Sequence, residues 1–137
     1  MKFNKVLIFL YFIFNIIIIV TSCDDTITNQ NIDEIVIPSK NVSYSQHIQP
    51  LFNVKCATSG CHDDNTRAGD LSLTSYANTT ASSLIVSPGL PDNSILVWAI
   101  EGNGAKLMPP IEAPVTPLND NQIQGIRTWI AEGAKNN

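Results

Sequence analysis

Apolar positions follow two regimes along the chain. Val6 to Val20 form a run of fifteen residues interrupted only by Asn15 and preceded by Lys2 and Lys5. That is short of the ~20 residues a membrane-crossing helix needs, and with its positive start it reads as the core of a signal peptide over Met1 to Ser22. The stretch from residue 23 to residue 41 is polar and aperiodic, apart from Ile35-Val36-Ile37 ahead of Pro38, and reads as a flexible tether. From Val42 onward apolar residues recur at helical spacing between Gly/Pro-rich breaks, so the folded domain is expected over residues 42–137.

Three helices are predicted within it. Ser45 to Val54 places Ile48, Leu51 and Phe52 on one face, with Pro50 limiting its regularity. Asn93 to Glu101 would be capped by Asp92, carries apolar Ile95, Leu96, Trp98 and Ala99 with Trp98 expected as core packing, and would stop at Gly102. The last is the clearest: Asn119 and Gln122 form a capping-box pair, Ile123, Ile126, Trp129 and Ile130 make one stripe, and Gly133 is the exit. Leu71-Ser72-Leu73 is the one brief strand-like alternation. About 95 residues with three short helices and this much loop lie near the lower size at which an apolar core suffices. A buried flat cofactor would supply the missing apolar surface.

Composition changes the picture at the N-terminus. The apolar run ends in Val20-Thr21-Ser22-Cys23, which resembles the lipobox of bacterial lipoproteins. Cys23 would then be the lipid-bearing mature N-terminus, anchored by several acyl chains at about 0.8 kcal/mol per buried methylene. The domain would lie in the cell envelope, facing the periplasm or the exterior. Without residues 1–22, six basic residues face twelve acidic ones, a formal charge of −6. Nucleic acid is excluded as a partner, since phosphate binding needs clustered Lys and Arg. The acidic surface suits a monomer that meets a basic patch on a redox partner.

The chemistry is concentrated in the cysteines. Besides Cys23, the chain's two others stand in Cys56-Ala57-Thr58-Ser59-Gly60-Cys61-His62. Two thiols a few residues apart can add to the two vinyl groups of a haem, and a histidine directly after the second is carried under the iron. Four residues separate the cysteines where two are usual, and Ser59-Gly60 lets the longer loop bulge. Met108, in Lys106-Leu107-Met108-Pro109-Pro110, is the one methionine after Met1 and the candidate ligand on the iron's far face. Its two prolines leave the loop little entropy to lose. Two readings compete: a Cys56–Cys61 disulfide stapling a haem-free binding or scaffolding domain of a lipoprotein, and a zinc site completed by His47. No nucleophile–base pair is visible, which argues against an enzyme.

Several segments together resemble the planctomycete-type branch of the cytochrome c family. These are Tyr44-Ser45 with Ile48-Gln49-Pro50-Leu51-Phe52, then Cys56, Cys61 and His62, then Gly69 to Tyr76, Pro88 to Leu96, Met108-Pro109-Pro110 and Trp129 to Ala134. The resemblance implies an all-α, cytochrome c-like fold of short helices and long loops around one covalent haem c. It implies thioether bonds from Cys56 and Cys61, iron ligation by His62 and Met108, and single-electron transfer rather than enzymatic turnover. Tyr76 is a further candidate, as a hydrogen-bond donor to a haem propionate.

Overall fold

The computed structural model describes residues 29–137, so the signal-peptide run and Cys23 lie outside the described residues. The described residues form five α-helices and no strand, as an all-α domain requires. They are α1 (Asn29–Glu34), α2 (Gln49–Lys55), α3 (Tyr76–Thr79), α4 (Ile95–Glu101) and α5 (Asp120–Ala131). None of them is long and apolar enough to cross a membrane.

The expected Ser45–Val54 helix is built in two parts. A π-helical turn, Tyr44–Ile48, is capped by the Ser43 hydroxyl, which accepts from the Gln46 amide at 3.2 Å. It passes into α2, whose first turn holds Pro50. Pro50 has no N–H to give to an upstream carbonyl, and a first helical turn is where that loss costs least. Ile48, Leu51 and Phe52 are buried, as their spacing predicts.

α5 follows the sequence closely. The Asn119 side chain accepts from Gln122 N at 2.9 Å, and the Gln122 side chain accepts from Asn119 N at 3.1 Å, completing the capping box. Ile126, Trp129 and Ile130 are fully buried, and Gly133 leaves the helix at a φ of 98°. The Trp129 ring packs against Tyr44 with centroids 5.2 Å apart, and its indole N–H donates to Lys135 O at 2.9 Å. Arg127, on another face, pairs with Asp92 and Glu101 and ties α5 to α4. Donating to those carboxylates, Asp92 foremost, raises the guanidinium pKa above its ordinary value.

α4 departs from expectation in two respects. Asp92 does not cap it: the N-cap is Ser94, while Asp92 lies in the 3₁₀ turn Pro91–Asn93 and faces Arg127. The buried face is Leu96, Val97 and Ile100, leaving Trp98 39% exposed with its indole N–H on the Asp92 carbonyl. Trp98 is therefore not core packing. An indole can lie at a surface when its polar edge finds a carbonyl, and Val97 takes its place inside.

The folded unit also begins upstream of Val42. Ile32 and Ile37 are buried in the core. The Asn121 side chain brackets Ile37, accepting from its N at 2.8 Å and donating to its O at 2.9 Å. Gln122 donates to the Ile32 carbonyl at 3.1 Å. Ile37 sits where Gly125 has no Cβ: a methyl built there would lie 2.6 Å from Ile37 Cγ2. The segment read as a tether from 23 to 41 is thus docked onto α5 from α1 onward. Its partners are some 84 to 90 residues away in sequence, which hides the docking from local pattern.

Candidate functional site

α2 delivers Cys56. The amides of Cys56 and Ala57 both donate to Phe52 O, at 2.9 and 2.7 Å, closing the helix just before the loop. The loop then turns back on itself: Cys61 N donates to Thr58 O and His62 N to Cys56 O, each at 3.0 Å. Gly60 takes a φ of 85°, the left-handed conformation that a four-residue spacer needs for this turn and that glycine adopts without penalty. The Asp63 carboxylate caps the arrangement, accepting from the amides of Gly60, Asn65 and Thr66 at 3.1, 2.7 and 2.9 Å. Those bonds, Thr66 foremost, hold its pKa down to about 2.

Leu71-Ser72-Leu73 is not a strand but an extended brace for His62. Leu73 N donates to His62 O at 2.9 Å, and His62 Nδ1 faces Leu71 O at 3.4 Å. A ring nitrogen committed to a backbone carbonyl leaves Nε2 as the nitrogen available to a metal, the usual second-sphere arrangement of a ligating histidine. Asp64 holds the brace in turn, accepting from Ser72 Oγ at 2.7 Å and Thr74 Oγ1 at 2.8 Å.

Met108 comes from another segment, its amide donating to Ala99 O at 2.9 Å near the end of α4. Two adjoining cavities result. One, of about 200 Å³, is bordered by Cys56, Cys61, His62, Met108, Pro109 and Pro110. The other, of about 230 Å³, is bordered by Cys56, His62, Met108, Leu71, Leu96 and Ile100. Taken together they reach the size range of small-molecule sites, roughly 300–1,000 Å³. All four candidate residues of the domain therefore meet at one place. Their donor set fits a haem c: two free thiols, an oriented imidazole, a thioether and a largely apolar wall.

Cys56 and Cys61 are free thiols, so the disulfide staple is not formed. The Cys56 thiol is pushed up to about 12, chiefly by burial and further by the neighbouring Cys61, against a lowering by Lys55. His47 is committed elsewhere: its Nδ1 accepts from Ser43 N at 3.0 Å, within the π-helical turn. Among the described residues no group of three or more His, Cys, Asp or Glu side chains is arranged to hold a metal ion, so the zinc reading has no ligand set. Tyr76 donates to Ala134 O at 2.9 Å and packs edge-on against Tyr44, so it is not a propionate donor.

Sequence reasoning missed two cations at the site. Lys106 borders both cavities. Lys55 is fully buried beside Cys56 and satisfied by Thr116 Oγ1 at 2.6 Å, Thr116 O at 3.1 Å, Pro117 O at 3.2 Å and the Asp33 carboxylate. A lysine in the last turn of a helix usually faces solvent, and only the tertiary partners show otherwise.

Residues 59–112 match the family model described as Planctomycete cytochrome C, a span that takes in Cys61, His62 and Met108 and begins after Cys56. No curated protein and no solved structure matches the chain. The helical fold, the shared cavity and this match together support a planctomycete-type cytochrome c domain in this chain.

Proposed function

We propose that this chain is a monohaem c-type cytochrome that carries single electrons at a membrane of the bacterial envelope. The observation that supports it most is that Cys56, Cys61, His62 and Met108, singled out by residue type alone, border one pair of adjoining cavities. When bound there, a haem c supplies an iron that cycles between two oxidation states. The chain's own contribution is attachment and tuning. Cys56 and Cys61 hold the group covalently, and His62 offers Nε2 while Leu71 O fixes its ring. Met108 offers a thioether, which raises the potential relative to a harder ligand. If His62 and Met108 both held the iron, the chain itself would fill the places a substrate could take, which suits a carrier rather than an enzyme.

On this reading Cys23 bears the lipid, the domain faces the periplasm or the exterior, and its acidic surface meets a basic patch on a partner oxidoreductase. The test is extraction with acidified acetone of protein made alongside haem-attachment machinery. The wild type keeps its colour in the protein pellet, whereas the Cys56→Ser/Cys61→Ser double variant releases it or never acquires it. Colour that extracts fully from the wild type contradicts the proposal.

A further inference from the structure

The spacer between the cysteines presents a problem of its own. Thioether formation adds each thiol across a vinyl double bond: a sulfur–carbon bond forms, the thiol hydrogen ends on the terminal vinyl carbon, and no electron is gained or lost overall. Both sulfurs must meet the two vinyl groups of one rigid ring, so their relative placement matters more than the reactivity of either. With four residues between them, including an exposed Ser59-Gly60 pair, the spacer has more conformations to lose than the usual two-residue one.

Backbone hydrogen bonds turn the spacer and its flanks back on themselves, through Cys61 N to Thr58 O and His62 N to Cys56 O. Its last residue is held differently. The Gly60 amide, directly before Cys61, has side-chain partners: Asp63 Oδ2 at 3.1 Å and Thr66 Oγ1 at 3.2 Å. The other carboxylate oxygen of Asp63 holds the amides of Asn65 and Thr66, at 2.7 and 2.9 Å. One side chain thus spans His62, fastening the spacer before it to the turn after it. Asp63 is the one charged side chain bonded to the spacer among the described residues.

We infer that Asp63 is a positioning residue for haem attachment, fixing Gly60 so that the Cys61 thiol is presented at a set place relative to Cys56 despite the long spacer. The inference rests on the cytochrome reading above. It assigns to Asp63 no contact with the haem, only control over which sulfurs reach it.

The test is a pyridine haemochrome spectrum, whose α-band moves to longer wavelength when one vinyl group remains unreacted, read on full-length protein made with haem-attachment machinery. Asp63→Ala removes all three amide contacts. Asp63→Asn keeps one oxygen for the Asn65 and Thr66 amides and puts an NH₂ group against the Gly60 N–H, so it spares the turn and loses the Asp63 contact to the spacer, leaving Gly60 N only Thr66 Oγ1. Asp92→Ala removes a bonded carboxylate away from the site and controls for general destabilisation. The expected result is a two-thioether band in the wild type and Asp92→Ala, and a red-shifted band in Asp63→Asn, with loss of attached haem in Asp63→Ala. A wild-type band and yield in Asp63→Asn overturns the inference and leaves the cytochrome reading standing. An equal shift in Asp92→Ala overturns it too, by making the effect one of stability. A wild type without haem overturns the cytochrome reading itself.

Discussion

The amide of Met108 donates to the carbonyl of Ala99 at 2.9 Å, so the loop that carries the thioether is fastened to α4 while His62 hangs from the loop after α2. The two candidate iron ligands thus approach the cavity from separate, independently anchored segments. Met108→Ala leaves the backbone contact and the covalent attachment intact and removes only the sulfur. The expected outcome is retained covalent haem, a high-spin absorption spectrum and a lower potential, a fraction of the ~0.8 V span that axial ligands command. Redox titration followed by absorbance checks it, and an unchanged potential assigns the sixth position to another group.

Gly125 gives a test of how the N-terminal segment is held. A methyl at this position would meet Ile37 Cγ2, Cδ1 and Cβ at 2.6, 2.8 and 2.9 Å, and Ile37 is wedged against α5 by the Asn121 bracket. Gly125→Ala should therefore destabilise by about 1–3 kcal/mol, the usual range for overpacking. Adding Ile37→Ala should recover part of that loss, because the second change empties the space the first one fills. Chemical denaturation of both variants measures the coupling. Purely additive losses would place Ile37 away from Gly125 in solution.

The ion pair of Lys55 with Asp33 joins α2 to α1. Burial raises the Asp33 pKa, but hydrogen bonds from Lys55, Thr116 and Gln122 outweigh it and hold the group below its ordinary value. A carboxyl depressed by folding stabilises fully above its unfolded pKa, about 3.9, and that contribution is lost as pH falls through the folded value. The stability gap between wild type and Asp33→Asn should be largest near neutrality, at most about 1 kcal/mol for a partly exposed pair, and should close on acidification below pH ~4. Thermal melts across pH 7 to 3 check this, and a gap that widens in acid would reverse the sign. Lys55→Met should cost more, about 2 kcal/mol, because the fully buried ammonium also satisfies the Thr116 and Pro117 carbonyls.

The parts of the molecule legible in the sequence are those whose determinants are local. α5 announces itself through Asn119, Gln122 and an apolar stripe within one helix. The site is legible because Cys, His and Met are few and each has narrow chemistry. What escaped depends on distant partners. Ile37 finds Asn121 84 residues on and Gly125 beyond it, and Lys55 finds Thr116 61 residues on. In α4 the apolar positions surround the helix, so Ile95, Leu96, Val97, Trp98 and Ile100 admit more than one inward face. Contacts with the rest of the core select Leu96, Val97 and Ile100.

On the proposed lipoprotein reading, membrane attachment would rest on Cys23. Cys23→Ser should abolish lipid modification and leave the protein with an uncleaved or differently cleaved N-terminus, while the haem content per chain stays as in the wild type. Metabolic labelling with a radioactive or alkyne-bearing fatty acid reports the modification directly. Label incorporated by the Cys23→Ser variant would move the lipid to another residue.

Covalent bonding of a porphyrin to this chain is read from the intact mass of the denatured, purified protein. Co-expressed with haem-attachment machinery, the polypeptide should weigh one haem more than its processed and lipidated chain, and the same peak should carry Soret absorbance through reversed-phase separation. A single species at the mass of the bare chain, without Soret absorbance, would contradict the account.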